Sequence, residues 1–233
     1  MADVIYKFLS VENAFRVMEK HALKVSLIRE LNDIYDCGPT LRLLGANPRD
    51  VDLSSTEEPD LPIADISGLL CFSKNYRSPL LWGHYAEGAK GIALGFDPDH
   101  FQWKNQIHVE YREDRPVLES DPATDDTASI LLKLFSEYFG VKGVQWKYED
   151  EVRYLLELED CVPRKRMYFA KFPSRALREV IVGPRSSVRC SYLQHFLAAH
   201  YKGIGVSLHS AHLHSKRFEV EARPFPPDDP FVS

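Results

Sequence analysis

Short runs of β-branched and aromatic residues recur along this chain, and they restrict its fold more than any other feature. They predict strands at residues 4–8, 23–27, 66–73, 91–96, 108–111, 147–157, 177–182, 205–209 and 217–222. Capping residues and helical spacing predict helices at residues 12–20, 78–87, 127–139 and 188–201. Because strands outnumber helices and do not alternate regularly with them, we expect an α+β fold. Its sheet should be mixed and mostly antiparallel, with flanking helices, rather than doubly wound.

The composition fits one globular domain. The chain has 233 residues, of which 44% are hydrophobic and 27% charged. Internal repeats and a strong domain linker are absent from the sequence, so we predict a single domain over residues 1–223 and a Pro-rich tail over 224–233. Residues 38–66 are rich in Pro, Asp, Ser and Glu and predict a long loop, with a helical turn around residues 39–44.

Charge and hydropathy exclude several classes of protein. The net charge of −5 argues against a protein that coats nucleic acid, which would normally be basic. No apolar run approaches the ~20 residues of a membrane span, and the N-terminus lacks the pattern of a signal peptide. We therefore expect a cytoplasmic protein that does not bind membranes. The four cysteines form no Cys-x-x-Cys pair, which favours buried thiols over a zinc ribbon.

The segment 146–153 carries the strongest candidate chemistry. If it is a strand, Glu149, Glu151 and Arg153 share one face and the aromatic residues of the segment share the other. The two carboxylates would then lie ~7 Å apart, at ~3.3 Å per residue, which suits two groups of a polar ligand or two stages of one reaction. Arg153 could hold a carboxylate ionised or bind a phosphate. The alternative is an edge strand whose charged face is simply solvated.

A second candidate group combines Ser73 with residues 82–85. Trp82 and Tyr85 offer flat surfaces for stacking, and His84 could act as a donor or base near neutral pH. The alternative is that the two aromatic residues belong to the core and His84 is exposed.

Metal binding is a weaker interpretation. Asp33 and Asp36 could form an acidic cluster with Glu149 and Glu151, although residues of this type after a strand usually make a turn. A second candidate consists of histidines alone: His209, His212 and His214. P-loop, dinucleotide-glycine, His-Glu-x-x-His and Gly-x-Ser-x-Gly motifs are absent. We expect no metal site.

An ordered set of short motifs runs along nearly the whole chain, from about residue 4 to residue 220. The set is Tyr6-Lys7-Phe8, Asn32-Asp33, Cys71-Phe72-Ser73, Trp82-x-His84-Tyr85, Gly91 through Phe96, Val109-x-Tyr111, Lys142, Trp146-x-x-Glu149-x-Glu151-x-Arg153 and Val180-Ile181-Val182-Gly183. It resembles domain-of-unknown-function family 2971, which occurs mostly in bacteria and their mobile elements. The chain departs from that pattern at Ile34-Tyr35, where the family usually has Pro-Phe. The family itself implies no activity.

The order of these motifs also resembles, more distantly, that of ADP-ribosyltransferases. Those enzymes carry a His or Arg on an opening strand, Ser-Thr-Ser or a Tyr on a middle strand, and a Glu on a late strand. Here the corresponding positions are Tyr6-Lys7, Ser73 with Tyr85, and Glu149-x-Glu151. The usual opening His or Arg and the Ser-Thr-Ser run are absent. The resemblance implies an ADP-ribosyltransferase-like fold and NAD as substrate.

The same resemblance implies a role for each site residue. Tyr6 and Lys7 would contact the nicotinamide side of NAD, and Tyr85 or Trp82 would stack on the nicotinamide. Glu151 would bind the ribose 2′-hydroxyl and stabilise the transition state, and Glu149 would orient or deprotonate the acceptor. The remaining NAD contacts would come from Ser73, His84 and Arg153. Either Arg153 or Lys7 would face the pyrophosphate.

The leading hypothesis is therefore an ADP-ribosyltransferase-like enzyme of the glycosyltransferase class, acting as a toxin or anti-phage effector. Its acceptor could be a protein, a nucleic acid or a small molecule, and a neutralising or sensor protein could accompany it. Residues 164–166 could form a local basic edge for nucleic acid. Two alternatives stay open. One is a non-catalytic nucleotide-binding sensor module, and the other is a metal-dependent nuclease using Asp33, Asp36, Glu149 and Glu151.

Overall fold

The computed structural model describes residues 3–36, 40–43, 66–120 and 139–226. Their strands are β1 (Ile5–Leu9), β2 (Ala22–Leu27), β3 (Thr40–Leu43), β4 (Ser67–Ser73), β5 (Ile92–Phe96), β6 (Gln106–His108), β7 (Glu110–Arg112), β8 (Val117–Ser120), β9 (Val141–Gly143), β10 (Glu151–Glu157), β11 (Val162–Arg164), β12 (Met167–Lys171), β13 (Leu177–Val182), β14 (Ser207–Leu213) and β15 (Val220–Pro224). Their α-helices are α1 (Val11–Lys20), α2 (Pro79–Tyr85) and α3 (Cys190–His200).

One large sheet contains most of these strands, in the order β11-β12-β2-β4-β1-β5-β13-β14-β15, with β10 and β6 branching from β4. Its pairings are antiparallel except that between β13 and β14. Two small parallel pairs, β3 with β8 and β7 with β9, lie outside it. The α+β class and the mostly antiparallel sheet are thus confirmed.

Strand β4 is the centre of the architecture. One edge of β4 pairs with β10 along its whole length, from Ser67↔Glu157 to Ser73↔Glu151. The other edge is shared, because β2 pairs only with Gly68 and Leu69 and β1 pairs only with Ser73. On that edge, residues 70–72 have no strand partner among the described residues. A notch therefore opens in the sheet between β1 and β2.

Apolar side chains cover both faces of the sheet. In β13, Val180 and Val182 join one buried cluster, whereas Ile181 joins the other. Strand β5 alternates in the same way, with Leu94 in the first cluster and Ala93 in the second. This period of two places the clusters on opposite faces. Helices α1 and α3 contribute buried residues to the first cluster, and α2 contributes to the second.

Helix α1 begins where the sequence predicts it. The Ser10 hydroxyl accepts a hydrogen bond from the Asn13 amide at 3.3 Å, which satisfies one of the free amides of the first turn. The helix ends at Lys20, and His21 follows with a φ of 47°. Along the chain, helix α1 connects β1 to β2, two strands of the large sheet that do not pair with each other.

Several predicted elements need correction. Residues 144–149 form a 3₁₀ helix, and Asp150 follows with a φ of 43°, so the predicted strand over 147–157 begins only at Glu151. The left-handed backbone of Asp150 cannot continue a strand. Residues 40–43 are a strand rather than a helical turn, because they pair with β8. Strands β8, β9, β11 and β12 were not predicted, and the strand predicted over 108–111 is interrupted at Val109, between β6 and β7. Residues 127–138 of the third predicted helix, most of the predicted long loop and residues 227–233 of the predicted tail lie outside the described residues.

None of the helices in the described part of the chain has the length and apolar character that crossing a bilayer requires.

Candidate functional site

A pocket of about 260 Å³ lies at the notch in the sheet. Its walls come from β1, β4, α2, β9, β10 and the segment that follows β2. The pocket exists because β1 and β2 each pair with only part of β4 and diverge between these contacts. Lys7 of β1 partly closes the gap, since its Nζ donates to the carbonyl oxygen of Cys71 at 2.8 Å.

Three pocket residues form a row across neighbouring strands. Tyr6 of β1 is the register partner of Ser73 in β4, and Ser73 is in turn the partner of Glu151 in β10. Directly paired residues of antiparallel strands point to the same face of a sheet. The backbone thus places all three side chains on the pocket side without help from any loop. The Tyr6 hydroxyl also donates to Glu179 Oε1 at 2.8 Å, which fixes its ring.

The floor of the pocket holds three carboxylates and two cations. Lys142 Nζ donates to Glu149 Oε2 at 2.6 Å and to Glu151 Oε2 at 3.3 Å, and it lies 3.7 Å from Asp36 Oδ2. Arg153 donates to both oxygens of Glu151, at 3.0 and 2.9 Å, and to both oxygens of Asp36, at 2.7 Å each. Three acidic side chains against two basic ones give the cluster a formal excess of one negative charge.

The cations hold the Glu151 carboxylate in its ionised form. Burial alone would raise the pKa of Glu151, but the Arg153 guanidinium and the Lys142 ammonium lower that pKa to about 2. Burial would lower the pKa of Lys142, but Glu151, Glu149 and Asp36 raise it above the ordinary lysine value. Glu151 is therefore a fixed negative charge at neutral pH, and Lys142 is a fixed positive one.

Tyr85 connects this cluster with the mouth of the pocket. Its hydroxyl donates to Glu149 Oε1 at 2.5 Å and accepts from Asn32 Nδ2 at 2.6 Å. Burial and the hydrogen bond to Glu149 raise the pKa of Tyr85, so the phenol keeps its proton. Both carboxylate oxygens of Glu149 are thus hydrogen-bonded, one to Tyr85 and one to Lys142.

The Cys71 thiol also lines the pocket. Burial and the neighbouring Glu151 carboxylate raise its pKa above the ordinary value, even though Arg153 and Lys7 act in the opposite direction. A thiol that stays protonated is a poor nucleophile. Cys71 is therefore a weak candidate for a nucleophile in this pocket.

Residues 81–154 match the family described as a protein of unknown function (DUF2971). The predicted resemblance to that family is confirmed over this stretch, which includes α2 and the start of β10. No curated protein and no solved structure matches the chain. The matched stretch contributes Tyr85, Lys142, Glu149, Glu151 and Arg153, so most of the charged cluster falls within it.

Six of the nine site residues predicted from the sequence line the pocket: Tyr6, Lys7, Ser73, Tyr85, Glu149 and Glu151. Glu149 and Glu151 converge on one ammonium, although the segment before Glu151 is not a strand. The left-handed turn at Asp150 brings them together, and strand alternation does not. The predicted separation of ~7 Å along a strand therefore rested on the wrong local geometry.

Three predicted residues lie elsewhere. Trp82 is buried against Phe8 on the other side of α2, and its indole donates to the Tyr76 carbonyl at 2.7 Å. His84 is exposed and packs near Tyr148. Arg153 is 0% exposed and engaged by two carboxylates, so its guanidinium does not face a ligand. These positions match the alternative interpretation of Trp82 and His84 as a core aromatic residue and a surface residue.

Two residues at the centre of the cluster were not among the predicted site residues. Lys142 belongs to the ordered motif set, but nothing in its neighbourhood in the sequence indicates a charged partner. Asp36 was considered only as a metal ligand, and its partner Arg153 lies 117 positions away. Tyr111 is a third case, because its hydroxyl accepts from the Glu151 amide at 2.8 Å.

The candidate metal sites are not assembled as ligand sets. Among the described residues, no group of three or more His, Cys, Asp and Glu side chains is arranged to hold a metal ion. The Lys142 ammonium lies where a cation would sit among Asp36, Glu149 and Glu151. The histidines of the C-terminal region are separated: His209 faces Glu179, whereas His212 contacts Ser210.

Proposed function

We propose that this chain is an ADP-ribosyltransferase-like enzyme that uses NAD as a substrate. The observation that carries this proposal is the row of Tyr6, Ser73 and Glu151 on three neighbouring strands, with Tyr85 and Glu149 beside it. In this row, each of the three motif positions of that enzyme class contributes one residue to the wall of a single pocket. The fixed negative charge of Glu151 is what a reaction that develops positive charge on a ribose would need.

The proposed reaction breaks the bond between ribose C1′ and the nicotinamide nitrogen. Nicotinamide leaves as a neutral ring with the bonding electron pair, and positive charge develops on C1′ and the ring oxygen. Glu151 stabilises that charge and accepts a hydrogen bond from the ribose 2′-hydroxyl. The acceptor's nucleophilic atom then bonds to C1′, and its proton passes to Glu149.

The size and charge of the pocket indicate which part of NAD it would hold. A volume of about 260 Å³ suits the nicotinamide and its ribose, while the rest of the dinucleotide would lie across the rim. The formal negative excess of the floor favours the cationic nicotinamide ring of NAD, and Tyr85 supplies the flat surface for stacking. Lys7 keeps further ammonium donors after its bond to Cys71 and is the cation we assign to the pyrophosphate.

Glu149 is the residue that we assign to the acceptor. It sits between Lys142 and Tyr85, and its partner Tyr85 reaches Asn32 at the mouth of the pocket. A toxin or anti-phage effector of this kind would modify a protein, a nucleic acid or a small molecule, and could be restrained by a neutralising or sensor partner. The identity of the acceptor is left to the experiment.

The proposal is tested by incubating the purified chain with NAD labelled in its adenylate phosphate, with and without a cell lysate. Nicotinamide release and label transfer are measured for wild type, for Glu151→Gln and for Glu157→Gln. Glu157 is exposed at the far end of the same strand, so it controls for removing a carboxylate from β10. We expect Glu151→Gln to lose roughly 10²–10³-fold in rate, as for a group that stabilises transition-state charge, and Glu157→Gln to behave as wild type.

Absence of both nicotinamide release and label transfer from the folded wild-type protein would overturn the proposal, as would full activity of Glu151→Gln. Because Glu151 takes part in a buried ion cluster, the thermal stability of each variant is measured in parallel. Lost activity with a retained melting transition assigns the effect to chemistry and not to folding.

A second candidate, a non-catalytic nucleotide-binding module, is favoured by one feature of the same pocket. Both oxygens of Glu151 already accept hydrogen bonds from Arg153 and Lys142, which suits a rigid recognition group. Titration calorimetry separates the two candidates. Saturable NAD binding without nicotinamide release supports the module, whereas release that depends on Glu151 supports the enzyme.

A further inference from the structure

A second and larger cavity, of about 670 Å³, lies away from the candidate active site. It is bounded by α2, by the turn that follows β13, and by the hairpin of β14 and β15. Its volume falls within the range of about 300–1,000 Å³ that is usual for small-molecule sites. The candidate active site uses none of the groups that line it, except that both cavities contact α2.

The two cavities are lined by different residues of α2. Leu81 and Tyr85, which are four residues apart, line the smaller pocket, whereas Trp82 and Gly83 line the larger cavity. Helical periodicity produces this division, because residues four apart share a face and their immediate neighbours do not. A ligand in the larger cavity would therefore not occupy the space in which the reaction is proposed.

The lining of the larger cavity combines apolar surface with basic and hydroxyl groups. The apolar contribution comes from Trp82, Val182, Leu213 and Phe225 together with several small residues. Leu213 is 73% exposed, so part of this apolar surface is open to solvent. The wall thus suits a ligand with an apolar body.

The polar groups of the cavity are selective for negative charge. Arg185, His212, Ser186 and Ser210 line it, and no acidic side chain among the described residues does. The Arg185 guanidinium forms no ion pair with any described residue. An arginine without an acidic partner and serine hydroxyls in the same lining are groups that bind carboxylates, sulfonates and phosphates.

These polar groups are held by a firmly anchored backbone. The Arg185 amide donates to the Ala89 carbonyl at 3.0 Å, and the Gly183 amide donates to the Gly91 carbonyl at 2.9 Å. The Ser210 hydroxyl lies 2.9 Å from His212 Nε2 and is largely buried. The site is therefore formed before a ligand arrives, which reduces the ordering cost of binding.

We propose that this cavity binds a small organic anion, with its apolar body against the hairpin and α2 and its negative group at Arg185. The inference does not depend on NAD chemistry, so its failure and that of the proposed function are separable. The test uses two fluorescent probes of one shape: 8-anilinonaphthalene-1-sulfonate, which is anionic, and N-phenyl-1-naphthylamine, which lacks the sulfonate.

Gly83 offers a clean way to fill the cavity. A Cβ built at this helical position meets no atom within 4 Å, so a side chain there extends into open space without displacing the fold. We expect Gly83→Leu to weaken both probes roughly tenfold or more, because the new side chain takes the volume that they need. Gly205→Leu is the matched control, because a Cβ at Gly205 also meets no atom within 4 Å and Gly205 does not line the cavity, so this variant should bind both probes like wild type.

Substitution of Arg185 tests whether the cavity recognises the negative charge of the sulfonate probe. We expect Arg185→Gln to weaken the sulfonate probe about 3-fold to 5-fold, the usual worth of an exposed ion pair, and to leave the neutral probe unchanged. Arg178→Gln, at an exposed arginine of β13 that does not line the cavity, should change neither. Circular dichroism confirms that each variant is folded.

Three results would overturn the proposal. They are the absence of saturable binding of the sulfonate probe to wild type, binding that Gly83→Leu leaves intact, and equal effects of Arg185→Gln and Arg178→Gln. Stronger binding of the sulfonate than of the neutral probe, lost on Arg185→Gln, would support it. Arg185 lies at the surface, so that variant remains informative even if Gly83→Leu does not fold.

Discussion

Arg153 binds Glu151 through two parallel hydrogen bonds, from Nε to Oε1 at 3.0 Å and from a terminal nitrogen to Oε2 at 2.9 Å. The same guanidinium bonds both oxygens of Asp36 and the carbonyl of Phe139. Arg153 is fully buried, so this geometry is a fixed part of the fold and not a surface ion pair. It makes Arg153 a positioning residue for Glu151, where the sequence had suggested a ligand contact.

We expect Arg153→Met to lower the free energy of unfolding by about 3–5 kcal/mol, because it leaves two buried carboxylates without their main partner. Urea titration measures the change. The matched control is Arg16→Met, which removes an exposed arginine paired with Glu12 on α1 and should cost less than about 1 kcal/mol. Similar losses for the two variants would contradict the buried network.

The depressed pKa of Glu151 predicts a dependence of stability on pH. Its folded pKa of about 2 lies below the ordinary value of 4.5, so its contribution is fully present above pH 4.5 and is lost as the pH falls towards 2. For this buried group the contribution is on the order of 3 kcal/mol.

The measurement is urea unfolding of wild type, Glu151→Gln and the exposed control Glu157→Gln at a series of pH values from 6 down to 2.5. We expect the wild type and the control to lose stability steeply below pH 4.5, and Glu151→Gln to show a shallower decline. Parallel curves for all three proteins would show that Glu151 is not held ionised by its partners.

Tyr85→Phe removes the hydroxyl that joins Asn32 to Glu149. On the proposed function, we expect transfer to the acceptor to fall roughly 10-fold to 100-fold, in line with the loss of a group that positions a general base. The melting temperature should fall modestly, because a hydrogen bond to a carboxylate contributes about 1.5–3 kcal/mol.

The comparison for Tyr85→Phe is Tyr192→Phe, which removes a hydroxyl from a tyrosine that is 60% exposed on α3. Both variants are assayed for label transfer and for nicotinamide release without acceptor. A loss confined to transfer fits a role beside the acceptor, whereas unchanged transfer by Tyr85→Phe would remove Tyr85 from the proposed machinery.

Substitution by alanine should change the stability of the fold in opposite directions at Gly83, which lies within α2, and at Gly91, which follows it. A Cβ at Gly91 would lie 2.0 Å from the Leu9 carbonyl oxygen, so Gly91→Ala forces the backbone apart and should destabilise the fold by several kcal/mol, roughly 2–4. Gly83→Ala meets open space in α2 and should stabilise by about 0.5–1 kcal/mol through helix propensity. Thermal melts of the two variants check the pair, and shifts of the same sign would contradict it.

The local pattern of β-branched and aromatic residues in the sequence predicted much of the fold. The runs around Ile5–Leu9, Ser67–Ser73 and Leu177–Val182 became strands near their expected bounds because their β-branched and aromatic residues suit a pleated surface. The prediction of a strand for the segment before Glu151 was wrong for a specific reason. Its alternation imitated a strand, but Asp150 adopts a left-handed backbone and its carbonyl accepts from the Lys74 amide. A tertiary contact thereby overrode the local period.

The sequence by itself determined the α+β class and the mostly antiparallel sheet, since these follow from spacing within short segments, and its motifs and their resemblance to known enzymes pointed to six of the residues that line the pocket. Only the tertiary structure decided that Tyr6, Ser73 and Glu151 lie in one row, that Lys142 sits between Glu149 and Glu151, and that Arg153 faces carboxylates instead of a ligand. The physical reason is register. Shifting a strand pairing by one residue turns every side chain to the opposite face, and the register of β4 against β1 and β10 is set by packing across the whole sheet.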